Sequence, residues 1–233
     1  MSPVVIWDVG GTLLDRRLSN REIVLMALMR AGIDPSSVSL DTLRQVSTEF
    51  ETAESTWSTI DEEAEGYRDL ARILISGLDV DQSKVDLVAD SMFNYYDAYY
   101  RVPQIETLLQ EVSDLGVQQA VLSNWMPSLA LLLKHHGLLY LFEVVITSGE
   151  VGVEKPDPHI FLYALERLSL RRDQVVYVGN ERDEDILPAR SLGIAAVHFD
   201  PRRKYDTTDL KDVDSLRPIL LEQIGRITQL PGD

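Results

Sequence analysis

One strand signal stands far from all the others. Residues 4–9, VVIWDV, form a short apolar run with β-branched residues, the pattern of a buried strand. Gly10-Gly11-Thr12 stops it. From about residue 19 to 100 only helix periodicity follows. The pattern predicts four helices there: 19–31 ending at Gly32, 40–54 capped by Asp41, 61–76 ending at Gly77, and 82–100. Leu43, Val46 and Phe50 share a face of the second, and Val85, Val88, Ala89 and Met92 share one of the fourth.

After residue 100 strands and helices alternate. Pro103 opens a helix with Ile105, Leu108, Leu109, Val112 and Leu115 inward, and Gly116 closes it. Val117 to Leu122 is a strand, Pro127 to His136 a helix, and Val144-Val145-Ile146 a strand. Asp157-Pro158 starts a helix, followed by a strand at 175–178, a helix at 185–192, a strand at 195–199 and a last helix at about 212–227. Such alternation predicts a parallel sheet covered on both faces. The first strand belongs to that sheet, so the helical block is an insertion. The expected fold is α/β: a core of residues 1–16 and 101–233, with an all-helical cap, a four-helix bundle, over 17–100.

Ligands of parallel sheets bind at the carboxyl ends of the strands. The residues found there are Asp8 to Thr12, Ser123-Asn124, the loop from Gly152 to Asp157, and Gly179-Asn180-Glu181. Asp8 offers a carboxylate beside glycines that let backbone N–H groups approach an anion. Ser123 adds a hydroxyl, and Lys155 a positive charge. Asn180 and Asp185 add oxygens suited to a hard cation such as Mg²⁺.

This ordered set resembles the haloacid dehalogenase superfamily of Rossmannoid hydrolases, most of them Mg²⁺-dependent phosphatases. The motif-bearing segments are WDVGGTLL, VLSNW, EKPDP and GNERDEDILPA. The resemblance covers the whole chain, and the insert looks like the family's four-helix cap. It implies that Asp8 is the nucleophile, forming an aspartyl intermediate. Asp8, the backbone carbonyl of Gly10, Asn180 and Asp185 would hold Mg²⁺. Ser123, Asn124 and the Gly11 and Thr12 amides would hold phosphoryl oxygens, and Lys155 would neutralise charge.

Two departures bear on activity. Position 10 is Gly where the phosphatases carry a second Asp, the general acid and base. Such help is worth about 10²–10⁴-fold, so slow turnover is expected. Position 180 is Asn where a metal-binding Asp is usual, which lowers the charge offered to the metal. Glu181, Asp183 and Glu184 stand near enough in sequence to compensate. Three readings follow: a weakened phosphatase for a small phosphorylated metabolite, a near-inactive protein binding a phosphorylated ligand or a protein partner, and a dehalogenase-like enzyme attacking carbon. The last is disfavoured by Gly10, where those relatives carry an aromatic.

Several residues read as structural. Asp157 is a helix N-cap, His135 and His136 sit at a helix end, and Trp7 lies in the sheet. Tyr95, Tyr96, Tyr99 and Tyr100 have helix spacing and pack inward. Arg16 and Arg17 read equally as an attraction for an anion or as surface. The net charge of −16 argues against nucleic-acid and membrane partners. The apolar stretch from Leu129 to Ile146 is interrupted by charges, so no membrane span is expected. The start Met1-Ser2-Pro3-Val4 does not read as a signal peptide, and the chain has no cysteine, so a cytoplasmic monomer or homodimer is the expectation.

Overall fold

A computed structural model of the chain describes residues 3–52, 57–204, 208 and 210–229. The expected end of the second helix at residue 54 lies outside them, as do Met1 and Ser2. The chain begins with β1 (Val4–Trp7) and a short β2 (Leu14–Arg16). Helices α1 (Asn20–Arg30), α2 (Leu40–Thr52), α3 (Ile60–Ile75) and α4 (Lys84–Phe93) follow, and β3 (Tyr99–Arg101) ends the helical block. Then come α5 (Ile105–Asp114), β4 (Gln118–Ser123), α6 (Leu129–His135), β5 (Val144–Thr147), α7 (Ser148–Val151) and α8 (Pro158–Arg167). The last elements are β6 (Val175–Gly179), α9 (Leu187–Ser191), β7 (Ala195–His198) and α10 (Val213–Thr228).

The isolated first strand takes the centre of a five-stranded sheet of order β5-β4-β1-β6-β7. All its pairings are parallel, with Val4 opposite Gln118 on one side and Val175 on the other. Alternate side chains of β1 face opposite ways. Val5 and Trp7 share a core with Leu108 and Leu109 of α5, Leu132 of α6 and Leu216 of α10. Val4 and Ile6 share the other core with Ile160, Phe161 and Ala164 of α8 and Ala189 of α9. Helices therefore cover both faces, as the alternation required. Trp7 is fully buried, and its Nε1 donates to Gln119 Oε1 at 3.1 Å. Among the described residues no helix is long and apolar enough to cross a membrane.

Within the insert, α1 packs on α2 and α4, and α3 packs on the same two. Two expectations need correction here. The cap of α2 is Ser39, whose Oγ accepts from Thr42 N at 3.0 Å; Asp41 is already inside the helix. The fourth helix stops at Phe93 instead of continuing to residue 100. The tyrosine-rich tail leaves it because β3 pairs antiparallel with β2, Arg16 opposite Tyr99 and Leu14 opposite Arg101. Aromatic residues suit such a strand, and the long-range pairing overrides the helical spacing of the tyrosines.

The insert also touches the sheet domain through a buried carboxylate. Glu63 of α3 is fully buried and accepts from Ser128 N (2.9 Å) and Ser128 Oγ (2.6 Å) at the start of α6. Burial raises its pKa above 4.5, against the opposing effect of the Ser128 bonds. A carboxyl raised on folding contributes stability that is full below its ordinary value and is lost as pH rises through the folded one. Glu63→Ala should cost about 1–3 kcal/mol by stranding the Ser128 donors. Glu63→Gln keeps an acceptor and removes the titration, so denaturant melts at pH 5 and pH 8 should differ less than those of the wild type. Equal pH dependence in the two proteins would refute this.

Candidate active site

Asp8 directly follows the central strand, and its N–H donates to Val178 O of β6 at 2.9 Å. The carboxylate is 4% exposed. Its Oδ1 accepts from Ser123 Oγ (2.9 Å) and Lys155 Nζ (2.7 Å). The turn after it needs Gly11, whose φ is +90° and where a Cβ would lie 2.7 Å from Asn180 Nδ2. Thr12 Oγ1 lies 3.2 Å from both Asp8 Oδ2 and Asn180 Oδ1. A hydroxyl has one proton, so it can donate to only one of these two oxygens at a time.

Lys155 comes from the loop between α7 and α8. Its backbone is clamped by the side chain of Asn124: Lys155 N donates to Asn124 Oδ1 (2.7 Å), and Asn124 Nδ2 donates to Lys155 O (2.9 Å). Its Nζ reaches Asp185 Oδ1 at 2.6 Å and Tyr177 OH at 3.1 Å besides Asp8. Burial works against the ammonium, but Asp185 and Asp8 outweigh it and hold Lys155 well above lysine's ordinary range. Burial and Asp185 together push the Tyr177 phenol well up, so it remains a neutral donor. Asp185 is placed by a single π-helical turn, Arg182–Ile186, and its Oδ2 accepts from Glu181 N at 2.9 Å. Gly179 leaves room for that carboxylate: a Cβ there would come within 2.5 Å of it.

Two buried carboxylates, Asp8 and Asp185, face one buried ammonium. The excess negative charge favours a further cation. Among the described residues no cluster of three His, Cys, Asp or Glu ligands exists. The donors on hand are instead mixed oxygens: the Asp8 and Asp185 carboxylates, the Asn180 amide and the Gly10 carbonyl. That set fits Mg²⁺, which keeps several waters and takes only one or two carboxylates.

These groups line a cavity of about 90 Å³, room for roughly three waters. Asp8, Gly10, Ser123, Asn124, Lys155, Asn180 and Asp185 come together around it, joined by Trp125, Glu181 and Glu184. Partial desolvation raises the pKa of Glu184, whose side chain is otherwise exposed at the rim. Gly11 and Thr12 do not line it. Their amides donate within the turn, to Leu14 O (2.7 Å) and Val9 O (3.1 Å).

A family model described as haloacid dehalogenase-like hydrolase matches residues 5–199, including all four motif-bearing segments. The chain belongs to this family. The hydrolase is 32% identical over 202 residues to the zebrafish (Danio rerio) haloacid dehalogenase-like hydrolase domain-containing protein 3, covering 82% of this chain and 81% of that one. It is 34% identical to a ribulose-1,5-bisphosphate 5-phosphatase of Halopiger xanaduensis, over 58% of this chain and 60% of that one. Among solved structures, a 2-haloacid dehalogenase from Pseudomonas syringae superposes with a TM-score of 0.71 at 20% identity, over 95% of this chain and 99% of that one. A HAD phosphatase from Thermococcus onnurineus superposes at 0.59 with 25% identity, over 94% and 97%.

The hydrolase's remaining expected residues fall outside the cavity. Arg16 donates to Leu18 O (2.6 Å) and to Asn20, while Arg17 stacks 5.1 Å over the Tyr100 ring. His135 and His136 end α6 beside Asp97 and Tyr96 O, and Asp157 caps α8 through His159 N at 2.9 Å. Two site residues were not legible as such. Tyr177 carries a phenol in an otherwise apolar strand, and a buried hydroxyl has to find partners; that is the signal it offered. Trp125 directly follows Ser123-Asn124 at a strand exit, the same criterion that picked out its neighbours.

Proposed function

We propose that this hydrolase is a Mg²⁺-dependent phosphatase for a small phosphorylated metabolite, working through an aspartyl-phosphate on Asp8. The observation that carries it is the Asp8 carboxylate at the end of the central strand, with Ser123 and Lys155 both on Oδ1. An oxygen of Asp8 attacks phosphorus, and the bond to the leaving oxygen breaks with its electron pair. Water then attacks phosphorus, the bond to Asp8 breaks, and phosphate departs with the water's proton passed to it or to solvent. Ser123 Oγ and the Asn124 N–H donate to phosphoryl oxygens, while the Gly11 and Thr12 amides, expected as further donors, are engaged within the turn. Lys155 offsets the charge that gathers there. Asp8, the Gly10 carbonyl, Asn180 and Asp185 would hold Mg²⁺, which neutralises phosphoryl charge when bound. Residues 17–100 act as the cap over a core of 1–16 and 101–233, a division supported by the β2–β3 ribbon where the two meet.

Relatives named as phosphatases support the reading; the chain spans about 56–63% of the length of each of three of them. The test is hydrolysis of 4-nitrophenyl phosphate against Mg²⁺ concentration. Turnover should rise to saturation with Mg²⁺, vanish with a chelator and return when Mg²⁺ is added back. Gly10 and Asn180 favour a second reading, a protein that binds a phosphorylated ligand and scarcely turns over. Absent turnover at every Mg²⁺ concentration would select it.

A further inference from the structure

Gly10 is not simply an empty position. A Cβ built on it would lie 3.3 Å from Trp125 Cζ3 and 4.0 Å from Cε3, so the indole occupies the space a side chain would enter. Both residues line the cavity beside Asp8. The backbone that carries the indole is held on both sides: Trp125 N donates to Ser148 Oγ at 3.1 Å, and Trp125 O accepts from Gly149 N at 3.0 Å. The ring packs on Tyr99 of β3 with centroids 5.2 Å apart. Tyr99 in turn packs on Tyr95, and Tyr95 on Phe50 and Tyr67 of the insert. On the Gly10 side of Asp8 the wall is therefore an aromatic surface supported from the insert, with no acid there to protonate a departing oxygen.

Resting on the phosphatase reading, we infer that Trp125 over Gly10 makes the site selective for phosphoryl donors whose leaving group departs as a stable anion, such as aryl or acyl phosphates. An alkoxide leaves slowly without a proton, whereas an aryloxide or carboxylate does not require one. In the transfer to Asp8 the P–O bond breaks and both electrons stay on the leaving oxygen, which enters solvent as the anion. No acid is consumed. General-acid help is worth about 10²–10⁴-fold, and that is the discrimination expected between the two kinds of leaving group.

The experiment measures kcat/KM, which reports transfer to Asp8, for 4-nitrophenyl, phenyl and benzyl phosphate with Mg²⁺, in the wild type, Asp8→Asn, and Gly10→Asp with Trp125→Leu. In the wild type the value should fall by about 10²-fold or more from 4-nitrophenyl to benzyl phosphate. In the double variant, where leucine makes room for the new carboxyl, that fall should shrink. A wild-type fall smaller than about tenfold, with turnover dependent on Asp8, overturns the inference and leaves the phosphatase reading standing. Turnover that survives Asp8→Asn, or none for any of the three, overturns both. The wild-type series decides the matter even if the double variant does not fold.

Discussion

Lys155→Met should lower the melting temperature by about 6–20 °C and remove turnover. The ammonium is 4% exposed and sits between Asp8 Oδ1 and Asp185 Oδ1, at 2.7 and 2.6 Å. Methionine fills much of the volume but leaves two carboxylates buried together with no counter-charge. Breaking a buried ion pair by removing one partner costs about 3–5 kcal/mol, and each kcal/mol is worth about 2–4 °C in a chain of this size. Adding Asp185→Asn should recover part of the loss, because one uncompensated charge goes with it. Thermal melts of the two variants check both statements. A Lys155→Met protein melting within 2 °C of the wild type would show that the cluster is not held by charge.

Asp8→Asn should behave in the opposite way toward the fold. It removes one negative charge from a group that has an excess of them, and Lys155 keeps Asp185. The melting temperature should hold or rise, as happens when a strained functional site is relaxed. Turnover of 4-nitrophenyl phosphate should drop by about 10⁴–10⁶-fold, the scale seen when a nucleophile is deleted. Comparing the two variants separates the roles of the two residues: Lys155 matters to structure and chemistry, Asp8 to chemistry alone. An Asp8→Asn protein that keeps a tenth of the wild-type rate would end the case for a covalent phosphoryl intermediate.

Much of this was readable because it depends on periodicity. The apolar run of β1, the alternation after residue 100 and the polar residues at strand exits all follow from which side chains must be buried. The turn around Gly11 and the cap at Asp157 are local and follow from residue type. What escaped depends on contacts distant in sequence. Nothing near Tyr99 shows that it will pair with Arg16, so α4 was expected to run on through it. The π-helical turn at Arg182–Ile186 looks like an ordinary acidic helix start until Asp185 is seen against Lys155 and Gly179. Gly10 reads as a missing acid, but that Trp125 fills its place is a fact of packing across 115 residues, invisible to spacing.

The position of β1 also sets an order of events in time. Val4 has one neighbour at Gln118 and the other at Val175. A ribosome adding about 5–20 residues per second needs roughly ten to thirty seconds to reach the second of them. Throughout that interval VVIW, the strand that leads into Asp8, is an apolar segment without both partners, while each helix of the insert already has its sequence neighbours at hand. β1 is thus made before either of its partners and completed among the last elements, and the seat of Asp8 exists only once Val175 has been synthesised.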